Sequence, residues 1–348
     1  MTRPTQGLNR RSLLACSGAL AMPPLIHSEK PVGWADVERR VQTLQTSAVA
    51  VLLQGRTVWT HGDQTVVSYL ASARKSVMAM LFGPAVARDE IQLDASLAEI
   101  GLDDVGGLLD RERRATVRQL MQARSGVYHP AANAGDASAL APPRGSVEPG
   151  DRFLYNNWDF NALGAVYERM TGRTVYQGLT RDLAEPLGLQ DWRPDLQQVR
   201  NDTGASLHPA HHIALSTRDM ARLGQAMLDR GRWKERQVLT PEWVDLITCP
   251  VTPAAEVARA SPFIDGLGYA YLWWTFDQGW PPAFIGGYTA SGAFGQFITV
   301  LPAVRLVVAH KTVAPSDRNV PPEVYLRDLL PLIVRAAAVE IRPIRSEL

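Results

Sequence analysis

The sequence predicts an α+β protein: an antiparallel sheet drawn from the N- and C-terminal segments, flanked by helices, with a mainly helical domain inserted between. Three observations predict it. Strand-like composition gathers between residues 47 and 71 and again between 267 and 312. Residues from about 90 to 245 read mainly as helices and loops. The order strands, helices, strands, helix lets the two strand groups join in one antiparallel sheet. The expected division is an export segment at 1–28, a sheet domain from 29–75 and 246–348, and the inserted helical domain at 76–245.

"WADVERRVQTL" has apolar residues at Val37, Val41 and Leu44, a helical period. "SAVAVLLQGRTVWTHGD" reads as two strands joined at Gln54-Gly55-Arg56. "TVVSYLA", Thr65 to Ala71, is a further strand candidate. "SVMAMLFGPAVARDEI" is apolar almost all round, which marks a helix buried in the protein. "TVRQLMQARSG" and "NALGAVYERMTG" are helical and stop at glycine. The Ala-, Pro- and Gly-rich stretch from His129 to Gly150 reads as a loop. Ser216, with Asp219 after it, and Thr240, with Pro241 after it, are helix starts. "LGYAYLWWTF", "AFGQFITVLP" and "RLVVAHKT" have strand composition, with "LPAV" as a turn, and "PPEVYLRDLLPLIVRAAAV" is a final helix.

The chain has 348 residues, 46% hydrophobic and 20% charged, enough to bury a core. Its net charge is +1 and it has no basic block, which argues against a nucleic-acid partner. No apolar run reaches the roughly 18–20 residues of a membrane span. The start, "NRRSLLACSGALAMPPLI", puts Arg10 and Arg11 before an uncharged stretch, the pattern of a twin-arginine export signal, with Ala19 to Ala21 as a cleavage site. The expected location is therefore periplasmic or secreted. Cys16 does not mark a lipoprotein, because the apolar stretch follows it. Cys249 reads as a small buried apolar residue.

Three motifs carry chemistry. The first is "ASARKSV", where Ser72 precedes Lys75 by three residues. On a helix these share a face, so the amine can reach the hydroxyl. Only four residues are lysine, at 30, 75, 234 and 311, in a chain with 36 basic residues. Burial lowers a lysine pKa and frees the amine to act as a base, which arginine cannot do. The same pattern also fits a capped helix with a surface lysine. The second motif, Tyr155-Asn156-Asn157, offers a hydroxyl that can relay a proton and an amide that can hold a substrate. These also fit a core tyrosine and a helix cap. The third, Ala290-Ser291-Gly292-Ala293, sets small residues at the start of a candidate strand. There the backbone N–H of Ala293 can join that of Ser72 in an oxyanion hole. A glycine-rich turn fits this stretch too.

In order and spacing these motifs resemble the serine β-lactamase and penicillin-binding-protein superfamily, in its class C-like branch. That branch includes D-alanyl-D-alanine carboxypeptidases, β-lactamase-like esterases and 6-aminohexanoate-dimer hydrolase. "LMQARSGV", "LAEPLGLQDW" and "LSTRDMARLGQAMLDRGRWKERQVLTPEWV" extend the resemblance from about Thr43 to Thr312. It implies the β-lactamase/transpeptidase-like fold and a mechanism. Ser72 attacks a carbonyl, Lys75 and Tyr155 handle its proton, and water releases the acyl-enzyme. The N–H groups of Ser72 and Ala293 hold the oxyanion. Asn157 positions Lys75 and the substrate, Ser291 and Gly292 line it, and no metal or organic cofactor is required.

The chain departs from the family where β-lactamases carry K-T-G or H-T-G, because Ala290 stands in place of the cation. The expected activity is therefore hydrolysis of an ester or amide in a small molecule or short peptide. The alternatives are a D,D-peptidase or β-lactamase, and a non-catalytic binding or sensor protein of the same fold. Other residues invite site readings. His208, His211 and His212 have spacing compatible with zinc, but no acidic residue or cysteine nearby completes a set. His129 and Trp158 are candidate pocket residues. Trp273 and Trp274, adjacent in a strand, would face opposite ways, so at most one can approach the site.

Overall fold

A computed structural model describes residues 32–135, 139–260, 264, 266–313 and 319–341. The expected export segment, with Arg10, Arg11 and Cys16, lies outside the described residues. Helix α1 (Trp34–Gln42) buries Val37 and Val41. Strands β1 (Ala48–Leu53) and β2 (Arg56–His61) follow as a hairpin. Its loop residues Gln54 and Gly55 hold φ of 51° and 79°. Two left-handed residues in succession make the turn whose twist matches the strands.

Helix α2 (Arg74–Ala87) runs through the protein interior, with residues 74–83 all buried. It begins directly after a 3-10 turn at Ala71–Ala73. The expected domain boundary after residue 75 falls inside this helix. Helix α3 (Asn157–Thr171) starts on Asn156, whose side chain accepts the Asp159 N–H, and ends at left-handed Gly172. Helix α4 (Thr217–Leu228) is capped by Ser216, and α5 (Pro241–Thr248) by Thr240 with Pro241 in the first turn. The Asp219 carboxylate accepts the N–H groups of Gln190 and Asp191, so it ties down a loop as well as standing in the first turn of α4.

Strands β3 (Leu267–Tyr269), β4 (Trp274–Phe276), β5 (Tyr288–Gly292), β6 (Gln296–Leu301) and β7 (Leu306–Lys311) precede the terminal helix α6 (Leu330–Ile341). The seven strands form one antiparallel sheet in the order β2-β1-β7-β6-β5-β4-β3. The protein is α+β, and its sheet joins strands from both ends of the described chain. Successive side chains on β6 face opposite ways. Ile298 and Val300 meet Gly224 of α4, where an added Cβ would clash. Phe297 and Thr299 meet Tyr325, which stacks on Phe297 at 3.9 Å and bonds Thr299 at 2.8 Å. Among the described residues no helix is long and apolar enough to cross a membrane.

Several local expectations change. "LGYAYLWWTF" is two strands, because the chain reverses around Leu272, which holds φ 64°. Ala290 to Gly292 end a strand instead of starting one. The turn after them passes through Phe294 at φ 67° and Gly295 at φ 95° before β6 begins. Of Thr65 to Ala71 only Ser68–Tyr69 is a strand, paired with Ala214–Leu215. Cys249, expected to be buried, is only half-buried, at the C-terminal end of α5.

Candidate active site

Ser72 sits in the 3-10 turn ahead of α2 and is half-buried. Leu70 anchors the turn by donating its N–H to Ile213 and accepting that of Ala73. Ala71, directly before Ser72, holds φ 47°, a left-handed conformation that costs a non-glycine residue energy. Lys311, buried on β7, donates its Nζ to the carbonyls of Ser68 and Leu215, so the sheet holds the strand leading into the turn. Burial pushes the Lys311 amine down to about 7.

Lys75 lies one turn after Ser72. Its Nζ is 3.0 Å from Ser72 Oγ and 2.8 Å from Tyr155 OH. The side chain is buried, and burial, then the charge of Arg74, push its pKa well below the ordinary lysine value. The faces of Tyr155 and Phe160, 4.3 and 4.5 Å from Nζ, act the other way by attracting an ammonium. Such contacts are worth up to about 2 kcal/mol. An unpaired buried ammonium costs several kcal/mol, so the neutral amine is favoured. Tyr155 is half-buried, and burial pushes its phenol up to about 12. Its ring is fixed against Phe160 at 4.8 Å and Trp274 at 5.1 Å. Burial thus acts in opposite directions on the two groups, lowering the amine of Lys75 and raising the phenol of Tyr155.

The third motif closes the other side. Gly292, at the end of β5, approaches the Ser72 turn so closely that an added Cβ would lie 2.3 Å from the Leu70 carbonyl oxygen. Ser291 is buried beside it, Ala290 is fully buried in the sheet and brings no cation, and Ala293 follows in the exposed turn.

Ser72, Lys75 and Tyr155 therefore come together, with Gly292 against them. Asn157 does not join Lys75. Its amide donates 2.7 Å to the Asn133 carbonyl and pins the loop after His129. The neighbouring Asn156 is used as the helix cap. Trp158 turns inward, donating to Asp104 at 2.7 Å, and is a core residue. Of the two tryptophans, Trp274 packs on Tyr155 and Trp273 packs instead on Tyr288 at 5.3 Å.

The histidines disperse. His208 faces Trp158 and Asp104, His211 bonds Glu168 at 3.2 Å, and His212 stacks on Tyr69 at 4.3 Å. Alternation along the strand Ser206–His212 sets His211 on the face opposite His208 and His212, and those two stand four residues, about 13 Å, apart. His129 is buried between the carbonyls of Pro130 and Val105. Three residues near the site escaped sequence reasoning. Phe160 covers Lys75. Asp159 is a buried acid that accepts a short bond from Ser125 and is pushed up to about 8 by burial. Arg74 is buried within the nucleophile motif itself, and its signal was a charge inside an otherwise apolar run.

Comparison with known proteins fits this geometry. Residues 34–318 match the β-lactamase family. The chain belongs to that family. Its fold is that of a Bacillus anthracis protein assigned as a 6-aminohexanoate-dimer hydrolase, at TM-score 0.66 and 18% identity over 88% of this chain and 82% of that one. It is also that of EstCE1, a hydrolase with promiscuous acyltransferase activity, at TM-score 0.61 and 17% identity over 87% of this chain and 96% of that one. In sequence the chain is 31% identical to monacolin J acid methylbutanoyltransferase of Aspergillus terreus, over 37% of this chain and 38% of that protein's length. The match thus spans little more than a third of that relative. This β-lactamase-family chain thus shares its fold with proteins named as a dimer hydrolase and as a hydrolase with acyltransferase activity.

Proposed function

We propose that the protein is a serine hydrolase that forms an acyl-enzyme on Ser72 and acts on an ester or amide. What carries the reading is Lys75 Nζ within hydrogen-bond reach of both Ser72 Oγ and Tyr155 OH, in surroundings that favour the free amine. A neutral amine has one lone pair and two N–H groups. Lys75 takes the Ser72 proton on that lone pair as Oγ bonds the substrate carbonyl carbon. The negative charge moves to the carbonyl oxygen, which the N–H groups of Ser72 and Ala293 receive. The bond to the leaving group then breaks, and the proton reaches that group through Tyr155. Water attacks the acyl-enzyme by the same route and frees Ser72.

Ala290 argues for an ester or neutral amide over a β-lactam or D,D-peptide, because no cation there pairs with a substrate carboxylate. The names of EstCE1 and the Aspergillus transferase support a second release route, in which an alcohol takes the acyl group in place of water. The Arg10-Arg11 start supports an exported enzyme.

The test is mass spectrometry after treatment with a fluorophosphonate, together with turnover of p-nitrophenyl esters and nitrocefin. The expected result is an adduct on Ser72 and ester turnover with nitrocefin untouched. Nitrocefin hydrolysis without ester turnover would favour the β-lactamase reading. No adduct and no turnover would leave a non-catalytic member of the fold.

A further inference from the structure

Three of the chain's four lysines, Lys75, Lys234 and Lys311, lie among the described residues. Lys234 is exposed, whereas the other two are buried and both bond the segment around Ser72. Lys75 reaches the Ser72 hydroxyl at 3.0 Å from within the same helical turn. Lys311, 0% exposed, reaches from the end of β7 to the main chain four residues before Ser72. Its Nζ donates 2.9 Å to the Ser68 carbonyl and also donates to that of Leu215, so one amine spans the paired strands Ser68–Tyr69 and Ala214–Leu215. No carboxylate among the described residues pairs with it, and Asp219, in the first turn of α4, accepts the N–H groups of Gln190 and Asp191 instead. A buried amine without a counter-ion costs stability, and an apolar side chain of similar length would pack there at less cost. We propose that Lys311 is a positioning residue for the reaction: its amine clamps the segment that carries Ser72, so that the hydroxyl stays within reach of Lys75. The proposal rests on the reading of Ser72 as the nucleophile.

The clamp has a rigid anchor. Strand β7 lies inside the sheet, between β1 and β6, and Lys311 is held there by its own main chain. It stands opposite Ala48 of β1, and its carbonyl accepts the Ser47 N–H at 2.9 Å. What the clamp holds is short and constrained. The Leu70 N–H donates 2.9 Å to the Ile213 carbonyl, and the Leu70 carbonyl accepts the Ala73 N–H at 3.1 Å. Between Leu70 and Ser72 stands Ala71 at φ 47°, a conformation that persists only where the surroundings impose it. The backbone of Gly292 abuts the same turn. Freed at its leading end, a strained turn relaxes, and Ser72 Oγ then leaves its 3.0 Å contact with Lys75. The clamp holds in either protonation state of Lys311. An ammonium has three N–H groups and a neutral amine two, enough for both carbonyls.

The test compares wild type with Lys311→Met and Lys311→Leu, which remove the donors and leave an apolar side chain. Three quantities are read: p-nitrophenyl ester kinetics with the rate of fluorophosphonate labelling at Ser72, the melting temperature, and amide hydrogen exchange by mass spectrometry. In both variants the labelling rate and kcat fall by at least about tenfold, the order of loss expected from a misplaced nucleophile. KM changes little, because the substrate pocket is untouched. The melting temperature stays near that of wild type, since an unpaired buried amine has been removed. Exchange quickens in residues 68–73 and not in β1 or β6. If one variant fails to fold, the other carries the comparison. If neither folds, Lys311 serves the fold and the proposal is overturned. Wild-type labelling and kcat in a folded variant overturn it too, as does exchange that quickens equally in β1 and β6. If wild type takes no label and turns over no ester, the hydrolase reading fails, while the exchange still decides whether Lys311 fixes the Ser72 segment.

Discussion

Gly292 and Leu70 meet where no side chain fits: a Cβ on Gly292 would stand 2.3 Å from the Leu70 carbonyl oxygen and 2.8 Å from the Ala73 nitrogen. Both are backbone atoms of the turn that presents Ser72, so neither can swing aside. Gly292→Ala is expected to cost about 1–3 kcal/mol of stability through overpacking. It should also reduce kcat/KM by at least about tenfold, because displacing the turn misplaces the nucleophile. Denaturant unfolding alongside ester kinetics checks both, and a variant with wild-type kinetics would show that this approach does not position Ser72.

Lys75→Arg keeps a long basic side chain but removes the base, since arginine stays protonated. Activity is expected to fall by about a thousandfold or more, within the range of general acid–base catalysis. A melting scan shows whether the protein still folds. Turnover near that of wild type would refute proton transfer through Lys75.

Tyr155→Phe leaves the packing on Phe160, Tyr269 and Trp274 in place and removes only the hydroxyl 2.8 Å from Lys75. The expected loss in kcat/KM is about 10²–10⁴-fold with little change in melting temperature. A stable variant with unaltered kinetics would remove Tyr155 from the proton route.

Asp159 gives a pH signature in stability. Burial raises its folded-state value to about 8, against an ordinary 3.8. Between those values the unfolded chain loses the proton while the folded chain keeps it. The contribution is therefore whole below about pH 4 and is lost progressively as pH rises toward 8. By pH 7 the loss is on the order of a few kcal/mol. In Asp159→Asn this fall between pH 4 and 8 should flatten. Urea unfolding at pH 5 and pH 8 tests it, and equal slopes in the two proteins would place the titration elsewhere.

Local signals in the sequence located elements well. The Gln54-Gly55 turn and the caps at Asn156, Ser216 and Thr240 depend on a few neighbouring residues, so their chemistry is visible along the chain. The meeting of Ser72, Lys75 and Tyr155 was legible because the motif that holds Ser72 and Lys75 and the one that holds Tyr155 each sit at the start of a helix. Features set by distant packing were hidden. The division of "LGYAYLWWTF" into two strands depends on the reversal at Leu272, whose N–H is tied to Met121. Asn157 was assigned to Lys75, but Asn133 is its partner, and no local pattern records a bond across that loop. The histidines near 210 looked like a cluster because spacing was read without the strand, which turns His211 to the other face and sets His208 and His212 far apart along its length. The buried Arg74 left only a faint local trace, a charge at the head of an otherwise apolar run.

The strand β7 pairs with β1, about 260 residues earlier in the chain, and with β6 on its other side. Its last residue, Lys311, also grips the segment that leads to Ser72. Pairings so far apart form slowly, because a large loop must close before they are rewarded. Ser72 is thus synthesised long before the strand whose Lys311 holds the segment leading into its turn. On the proposed mechanism, a chain that holds Ser72, Lys75 and Tyr155 but has not yet paired β7 lacks the grip of Lys311 on the segment before Ser72, so its chemistry waits on the closing of the sheet.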